Sequence, residues 1–183
     1  MDGEKYQSLK IENIVFVGSI AGSLDIEYIA GKLDGCVLNK KKFPGAVYHI
    51  KEPKITVLLF SSGKVVMTGI TCTDDFQKGL DSLIRQVNDL GIGTYATPDV
   101  SIKNMVCSYD TGLFINLNRL IVTFNHEKIE YEPEQFPGLV YRIADPKIVA
   151  LIFSSGKVIL TGGKSIDDVK SAVDHIMKNL EYM

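Results

Sequence analysis

The hydrophobic positions of this chain switch between the spacing of a β-strand and the spacing of an α-helix. Between residues 9 and 93 they predict a strand, a short helix, three further strands and a long helix. Short turns at Glu52 to Lys54 and at Ser61 to Gly63 join the three consecutive strands, so their neighbours should run antiparallel. The predicted strands are Leu9 to Gly18, Phe43 to Lys51, Ile55 to Ser61 and Lys64 to Ile70.

Each predicted helix has one apolar stripe and a polar residue near its start. Asp25 precedes the short helix, and Gly35 follows it as a stop signal. An Asp74-x-x-Gln77 sequence resembles a capping box at the start of the long helix, and Ser165-x-x-Asp168 resembles one in a later copy. The stripes are Ile26, Ile29, Ala30 and Leu33, then Phe76, Leu80, Leu83, Ile84 and Val87, and finally Val169, Ala172, Val173, Ile176 and Leu180.

The whole pattern occurs twice along the chain. Phe43 to Gly69 is nearly repeated by Phe136 to Gly162, at an offset of 93 positions. Nearer the start of each copy, Ile11 to Val15 matches Ile102 to Val106 at an offset of 91. The later copy should therefore carry two extra residues before Leu117.

Two long repeats predict one domain with internal pseudo-symmetry, because a solenoid would stack several shorter units. At 183 residues, the chain can bury the core of a single domain. The order of elements predicts an α+β fold with an antiparallel sheet. The domain spans residues 1–183, with a first repeat at 9–93 and a second at 99–183.

The predicted strands are apolar on both faces. Val57 and Leu59 point to one face of the sheet, whereas Leu58 and Phe60 point to the other. A sheet with water on one side would alternate hydrophobic and polar residues instead. The long helices can cover one face, which leaves the other in need of a partner. That partner is either another protein layer, such as a second copy of the chain, or an extended pseudo-symmetric ligand.

Charge and composition narrow the class of protein. The net charge of −2 argues against nucleic-acid binding through bulk positive charge. The charges are local, since Lys40 to Lys42 stand in the first repeat where Glu130 to Glu134 supply acidic residues in the second. Three cysteines without CxxC spacing fit reduced thiols inside a cell. We expect no membrane association, because neither an apolar span nor a signal-peptide pattern is present.

No sequence pattern predicts a catalytic centre, a metal site or a cofactor. Gly91 to Ala96 imitates a dinucleotide-binding fingerprint, but it follows a predicted helix and lacks a surrounding βαβ unit. Gly63-Lys64 and Gly156-Lys157 lack the upstream glycine and the Ser or Thr of a P-loop. We therefore expect that the chain is not an enzyme.

Several motifs occur in both repeats and in the same order. They are FPG, a Pro-Lys turn, LLFSSGKVVMTG with LIFSSGKVILTG, and an Asn-x-Val in each first strand. These motifs resemble the TATA-box-binding protein family, and EYEPEQFPGLVYR at 130–142 is similar to the second repeat of its archaeal members. The resemblance covers both repeats. It implies a general transcription initiation factor. The two repeats would form one saddle-shaped curved sheet, with the helices on its convex face. The concave face would lie on the DNA minor groove.

The resemblance also implies which residues contact DNA. The minor groove at A·T pairs presents only acceptor atoms, so a few neutral donors suffice to read it. The implied donors are Asn13 and Asn104, assisted by Thr68 and Thr161. The implied apolar floor of the site is Val15, Leu58, Val66, Val106, Leu151 and Ile159. The implied wedges, which unstack base steps, are Phe43, Phe60, Phe136 and Phe153. The implied phosphate contacts are Ser62, Lys64, Arg142, Ser155 and Lys157.

Protein partners follow from the same resemblance. Glu132 and Glu134 match the family's contact with transcription factor B, through which RNA polymerase is recruited. The open apolar face would also allow self-association when DNA is absent. We expect an intracellular protein, in the cytoplasm at the nucleoid of an archaeal cell or in the nucleus of a eukaryotic one.

One departure from the family lies in the first repeat. His49 stands where arginine is expected, at the place equivalent to Arg142, so phosphate contact there is weaker unless Lys40 to Lys42 replace it. A second interpretation is therefore a diverged paralogue that uses the saddle for a different DNA sequence or a protein partner. A third, an enzyme or small-molecule carrier using the apolar face, needs polar catalytic groups among the strands, and none is repeated there.

Overall fold

The computed structural model describes residues 5–124 and 128–181. The chain forms two compact units, one of Asn13–Lys103 and one of Asn104–Met183 together with the N-terminal segment that ends at Glu12. The elements of the first repeat are β1 (Lys10–Ser19), α1 (Ile26–Lys32), β2 (Cys36–Leu38), β3 (Ala46–Ile50), β4 (Ile55–Leu59), β5 (Lys64–Ile70) and α2 (Thr73–Asp89). Those of the second are β6 (Asp99–Asp110), α3 (Leu117–Thr123), β7 (Lys128–Glu130), β8 (Leu139–Ile143), β9 (Ile148–Ile152), β10 (Lys157–Gly163) and α4 (Ile166–Glu181).

The strands of each repeat pair in the same order. The first repeat runs β2-β3-β4-β5-β1, and the second runs β7-β8-β9-β10-β6. The neighbouring strands within each repeat are antiparallel. The predicted α+β class with two repeats of antiparallel sheet is therefore confirmed.

One face of each sheet is buried beneath a long helix. In β4, Ile55, Val57 and Leu59 are buried, whereas Thr56 and Leu58 are only half-buried. α2 lies on the buried face, and a Cβ at its Gly79 would be 2.4 Å from Ile55 Cδ1. The second repeat has the same alternation in β9. The predicted two apolar faces are present, with only one of them covered by helix.

The two predicted capping boxes have different outcomes. Ser165 and Asp168 form one, because the Asp168 N–H donates to Ser165 Oγ at 3.1 Å and the Ser165 N–H donates to Asp168 Oδ2 at 3.0 Å. The box at Asp74 is wrong. The N-cap of α2 is Cys72, two residues before Asp74, and it makes no side-chain capping bond. Gln77 donates along the helix to Asp81 at 2.8 Å.

The structure corrects the sequence analysis at the outer strands. β2 and β7 are three-residue strands that the hydrophobic pattern did not predict, since they are too short to show a period of two. β3 begins at Ala46 instead of Phe43. Phe43 instead closes a turn, in which its N–H donates to Asn39 O at 2.9 Å.

The two extra residues of the second repeat also lie elsewhere. Asp25 and Asn116 cap α1 and α3 in the same way, and they are still 91 positions apart. Cys36 pairs with Tyr48 as Ile129 pairs with Tyr141, which is an offset of 93. The insertion therefore follows α3 and does not precede Leu117.

Candidate nucleic-acid interface

We call the face of each sheet that its long helix does not cover the open face. It carries Asn13, Val15, Val47, Leu58, Val66 and Thr68 in the first repeat, and Asn104, Val106, Val140, Leu151, Ile159 and Thr161 in the second. All of these side chains are half-buried. Val47 and Val140 were missed by the sequence reasoning, although the period of two along β3 and β8 could have identified them.

A β-bulge in each repeat determines where the asparagine points. Ile14 pairs with Ile70 and Phe16 with Met67, so β5 has one extra residue opposite Val15. Gly69 occupies the bulge with φ +88°, a left-handed conformation that favours glycine. Its N–H donates to Asn13 Oδ1 at 2.8 Å.

The second repeat has the same bulge. Its ladder shifts between Thr161 and Gly163, and Gly162 has φ +108°. The N–H of Gly162 donates to Asn104 Oδ1 at 2.7 Å. Because each asparagine oxygen accepts from a backbone N–H, the orientation of each side-chain amide is determined.

The asparagine amides are consequently held with their nitrogens toward the threonines. Asn13 Nδ2 donates to Thr68 Oγ1 at 3.0 Å, and Asn104 Nδ2 donates to Thr161 Oγ1 at 3.3 Å. An amide nitrogen carries two hydrogens, so each asparagine retains one donor for a ligand. The structure therefore brings the four predicted polar residues together as two equivalent pairs.

Each repeat also has a phenylalanine pair, in which one ring belongs to the residue directly after β4 or β9. The ring centroids of Phe43 and Phe60 are 5.6 Å apart at 66°, and those of Phe136 and Phe153 are 5.8 Å apart at 67°. Both are edge-to-face pairs, and Phe136 is 36% exposed. The predicted residues thus form one aromatic pair in each repeat.

The glycine of each FPG motif gives these rings room. A Cβ at Gly45 would be 2.8 Å from Phe43 Cε1, and one at Gly138 would be 2.7 Å from Phe136 Cε1. A side chain at Gly138 would have to displace the ring, and one at Gly45 would also be 2.8 Å from Leu59 O. The sequence reasoning used FPG only as a motif and missed this role.

The predicted phosphate contacts of the hairpins are exposed. Ser62 and Lys64 flank the tip between β4 and β5, and Ser155 and Lys157 flank the tip between β9 and β10. The two lysines differ in the charge of their cross-strand neighbours. In the strand register Lys64 lies opposite Ser19, and Lys157 lies opposite Asp110.

Arg142 is held by an acidic residue that the sequence reasoning did not connect with it. Its Nε and Nη2 donate to the two carboxylate oxygens of Glu130, at 3.2 and 3.3 Å. In the first repeat, His49 Nδ1 lies 3.2 Å from Thr56 Oγ1. Val37 takes the place of Glu130 there, and its side chain is 60% exposed.

The acidic and basic segments occupy equivalent turns. Glu132 and Glu134 are exposed, and Glu132 O accepts the N–H of Phe136 at 2.9 Å, as Asn39 O does for Phe43. Lys40 forms an ion pair with Glu27 of α1, whereas Lys41 and Lys42 are exposed.

Residues 5–124 and 128–181 contain neither a metal-binding cluster nor a membrane-spanning helix. No three His, Cys, Asp or Glu side chains there are grouped so that they could hold a metal ion. In the same ranges no helix has the length and hydrophobicity needed to cross a membrane.

Comparison with known proteins identifies the family. The family model described as "Transcription factor TFIID (or TATA-binding protein, TBP)" matches residues 8–90 and 99–183. The chain belongs to the TATA-binding protein family. This membership confirms the resemblance on which the site residues were chosen.

Individual members of the TATA-binding protein family are similar over nearly the whole chain. TATA-box-binding protein 2 of Methanosarcina mazei is 44% identical over 176 residues, 96% of each chain. The TATA-box-binding protein of Natronomonas pharaonis is 45% identical over 177 residues, 97% of this chain and 95% of that one. Methanococcus jannaschii TBP has a similar solved structure, with a TM-score of 0.87 and 39% identity, covering 96% of this chain and 99% of that one. These relatives are archaeal, as the sequence analysis predicted.

Proposed function

We propose that this chain is a general transcription factor that binds the minor groove of AT-rich promoter DNA with its two open faces. Family membership supports the proposal, since the relatives are named for the TATA box. The observation that carries it is the pair of bulge-anchored asparagines, Asn13 and Asn104, each with one donor to spare. We treat residues 1–183 as one DNA-binding core with repeats at 9–93 and 99–183.

The open faces suit the chemistry of this groove. Adenine N3 and thymine O2 accept hydrogen bonds, whereas the guanine amino group adds a donor and bulk at G·C pairs. Neutral amide and hydroxyl donors on an apolar floor therefore favour A·T pairs. Val15, Leu58 and Val66, with their counterparts Val106, Leu151 and Ile159, would contact sugars and base edges.

The phenylalanine pairs would supply the bending. Apolar side chains inserted between base steps unstack them at a cost of a few kcal/mol per step, which is offset by the larger surface that a bent duplex can contact. Phe43 with Phe60 and Phe136 with Phe153 are the proposed wedges. Much of the binding energy then comes from apolar contact. A net charge of −2 is therefore compatible with DNA binding, provided that cations such as Lys64 and Lys157 lie where the phosphates pass.

The first experiment compares binding to a TATA-containing duplex and to a scrambled duplex of the same composition. We expect clear preference for the first, with energy transfer between its labelled ends increasing as the duplex bends. The variant Phe136→Ala/Phe153→Ala should bind and bend it less. Tyr28→Ala removes an exposed aromatic of α1 and serves as the matched control. Equal binding of wild type to both duplexes, or no binding, would refute the proposal.

We further propose that Glu132 and Glu134 bind transcription factor B, which then recruits RNA polymerase. Both carboxylates are exposed in the turn that ends at Phe136, so a basic partner can reach them. Glu132→Lys/Glu134→Lys should abolish the ternary complex in a gel shift and leave the binary DNA complex intact. The control Asp81→Lys/Asp89→Lys reverses two exposed carboxylates of α2 and should leave both complexes intact. Unchanged ternary assembly by the glutamate variant would contradict the assignment.

A second candidate function is that of a diverged paralogue that binds another DNA sequence or a protein partner. The observation that favours it is the first-repeat edge, where Val37 and His49 replace the Glu130–Arg142 ion pair. Selection of preferred sequences from a random duplex pool distinguishes the two. Enrichment of TATA-like sites supports the first candidate, and enrichment of unrelated sites supports the second. As a DNA-binding factor the chain would act inside the cell, at the chromosome.

A further inference from the structure

Among the large hydrophobic residues of the part of the chain that the structure describes, Phe114 is the most exposed, with 86% of its surface accessible to solvent. It lies in the loop between β6 and α3, next to Leu113, which is 49% exposed. Single exposed hydrophobic residues are common on protein surfaces, so the position of the loop decides what Phe114 can contact.

Hydrogen bonds fix this loop to a hairpin of the proposed DNA interface. The Thr111 N–H donates to Gly156 O at 3.0 Å, and the Ile115 N–H donates to Ser154 O at 2.9 Å. A Cβ at Gly156 would be 2.1 Å from Leu113 O, which shows how closely the two backbones approach. Phe114 is therefore held beside the hairpin tip that carries Ser155 and Lys157.

The first repeat has the same loop without the phenylalanine. The Ile20 N–H donates to Gly63 O and the Leu24 N–H donates to Ser61 O, both at 3.0 Å. Between these anchors, Gly22 and Ser23 stand where the second repeat has Leu113 and Phe114. The segment between α2 and β6 also approaches this loop. The Tyr95 N–H donates to Ile20 O at 2.7 Å, and Tyr95 Oη lies 3.5 Å from a Cβ built at Gly22.

We propose that Phe114 is an additional DNA contact, made by the second repeat alone. Its ring packs against the deoxyribose backbone beside the Ser155–Lys157 hairpin. This contact sets the direction in which the chain lies on DNA. This inference rests on the proposed function and deepens it. The asparagines and the wedge pairs are duplicated, so they contact a nearly symmetric groove equally well in both directions. Only residues that differ between the repeats can select one direction.

The loop position explains why DNA is the partner to expect. Ser155 and Lys157 are proposed phosphate contacts, and a sugar–phosphate strand that reaches them passes the adjoining loop. Deoxyribose offers an apolar surface to a phenylalanine ring. Ser23 offers no such surface in the first repeat, so the direction that places the favoured strand against Phe114 gains binding energy.

The test measures the direction of binding by energy transfer. Cys72 is exposed and can carry a dye, whereas Cys107 is buried and its burial raises the pKa of its thiol to about 11. Cys36→Ser removes the remaining thiol. An acceptor at one end or the other of an asymmetric TATA duplex then reports the ratio of the two orientations.

We expect wild type to favour one orientation, and Phe114→Ser to reduce that ratio by about ten-fold, as the loss of a largely buried phenylalanine would. Phe114→Leu should keep most of the preference. Phe114→Ser/Ser23→Phe should reverse it. Val122→Ser removes an exposed hydrophobic residue of α3, which is 76% exposed, and should leave the ratio unchanged.

The possible failures are distinguishable. If wild type does not prefer TATA DNA, the proposed function fails. If wild type binds TATA DNA but has a ratio near one, or if Phe114→Ser leaves the ratio unchanged, only this inference is overturned. A variant that binds and orients normally but fails to assemble with transcription factor B would show that the ring contacts protein instead, which also overturns it. Urea unfolding of each variant confirms that it is folded.

Discussion

The backbone N–H of Gly69 donates to the side-chain oxygen of Asn13 at 2.8 Å, inside a bulge between β5 and β1. The extra residue of the bulge frees this N–H from the strand ladder, and the asparagine takes it up. As a result the amide of Asn13 cannot present its oxygen to the open face without breaking that bond. The bulge thus turns a residue that could accept or donate into a donor.

The first prediction separates anchoring from recognition. Asn13→Asp keeps an oxygen for Gly69 but removes the amide donors and adds a charge that the acceptor-lined groove repels. We expect the fold to persist and the affinity for TATA DNA to fall by about 10- to 100-fold. Titration of a labelled duplex measures the affinity, and urea unfolding checks the fold. Asn104→Asp should have a similar effect, and a small effect on affinity at both sites would contradict the donor role.

The second prediction concerns the glycines beneath the wedge rings. A Cβ at Gly138 would lie 2.7 Å from Phe136 Cε1 and 3.0 Å from Phe153 Cε1, so Gly138→Ala must displace both rings. We expect a loss of about 1–3 kcal/mol in the free energy of unfolding and a smaller DNA bend in end-to-end energy transfer. Gly93→Ala is the control, since a Cβ there meets no atom within 4 Å. Normal bending by Gly138→Ala would argue against the rings as wedges.

Much of this fold could be predicted because its repeats carry strong periodic signals. The apolar positions on both faces of β4 and β9 pointed to a sheet with one face uncovered, and the half-buried Leu58 and Leu151 lie there. The Ser165–Asp168 capping box formed because a serine and a carboxylate can satisfy each other's backbone donors locally. At Asp74 the same spacing failed, since α2 has its N-cap two residues earlier, at Cys72.

What the sequence could not reveal depends on contacts between separate elements. The Gly69 bulge is a register shift between two strands, and no local pattern encodes it. The Glu130–Arg142 ion pair requires β7 to lie beside β8, but three residues are too few to predict β7 as a strand. Each of these features places a polar group of the candidate site. The geometry of the candidate site was therefore beyond prediction, and the assignment of its residues to DNA contact stays a prediction.

The third prediction uses the unequal surroundings of the two hairpin lysines. Lys64 is the cross-strand neighbour of Ser19, whereas Lys157 is the cross-strand neighbour of Asp110. Opposite charges at neighbouring positions of two strands attract, so we expect Asp110 to offset part of the charge of Lys157. Lys64→Ala should reduce the slope of log affinity against log salt by about 0.9, the value for one phosphate contact. Lys157→Ala should reduce it less. Binding titrations over a range of salt concentrations measure both slopes, and a larger change for Lys157→Ala would count against this assignment.

The fourth prediction concerns the competition for Arg142. Glu130 occupies two of its donors, so phosphate must displace that carboxylate before it can bind there. Glu130→Gln should raise DNA affinity by up to about five-fold, since an exposed ion pair is worth at most about 1 kcal/mol. Glu134→Gln removes the same charge nearby without touching the pair, and should raise affinity less. The gain should disappear in Glu130→Gln/Arg142→Ala, and a gain that persists would exclude release of the arginine as its cause.

The fifth prediction concerns the N-terminal segment, which is bound to α4 through Asp174. Tyr6 Oη and Lys5 Nζ both lie 2.7 Å from Asp174 Oδ1. Burial acts to raise the pKa of the Asp174 carboxyl, but the hydrogen bonds from Lys5 and Tyr6 and the charge of Lys5 outweigh it, so the pKa is lowered from 3.8. A lowered pKa in the folded state means that the stabilisation is complete above the unfolded pKa and is lost as pH falls through the folded one.

Asp174→Asn should therefore reduce the free energy of unfolding by about 1 kcal/mol or less at about pH 6, since the carboxyl group is half exposed. The difference from wild type should shrink by about pH 3, because the carboxyl group is then protonated. Urea unfolding across this pH range measures it. In a Lys5→Met background the substitution should cost less, because the charge that Asp174 attracts is gone. A difference that stays constant from neutral to acidic pH would show that Asp174 acts through packing, and not through its charge.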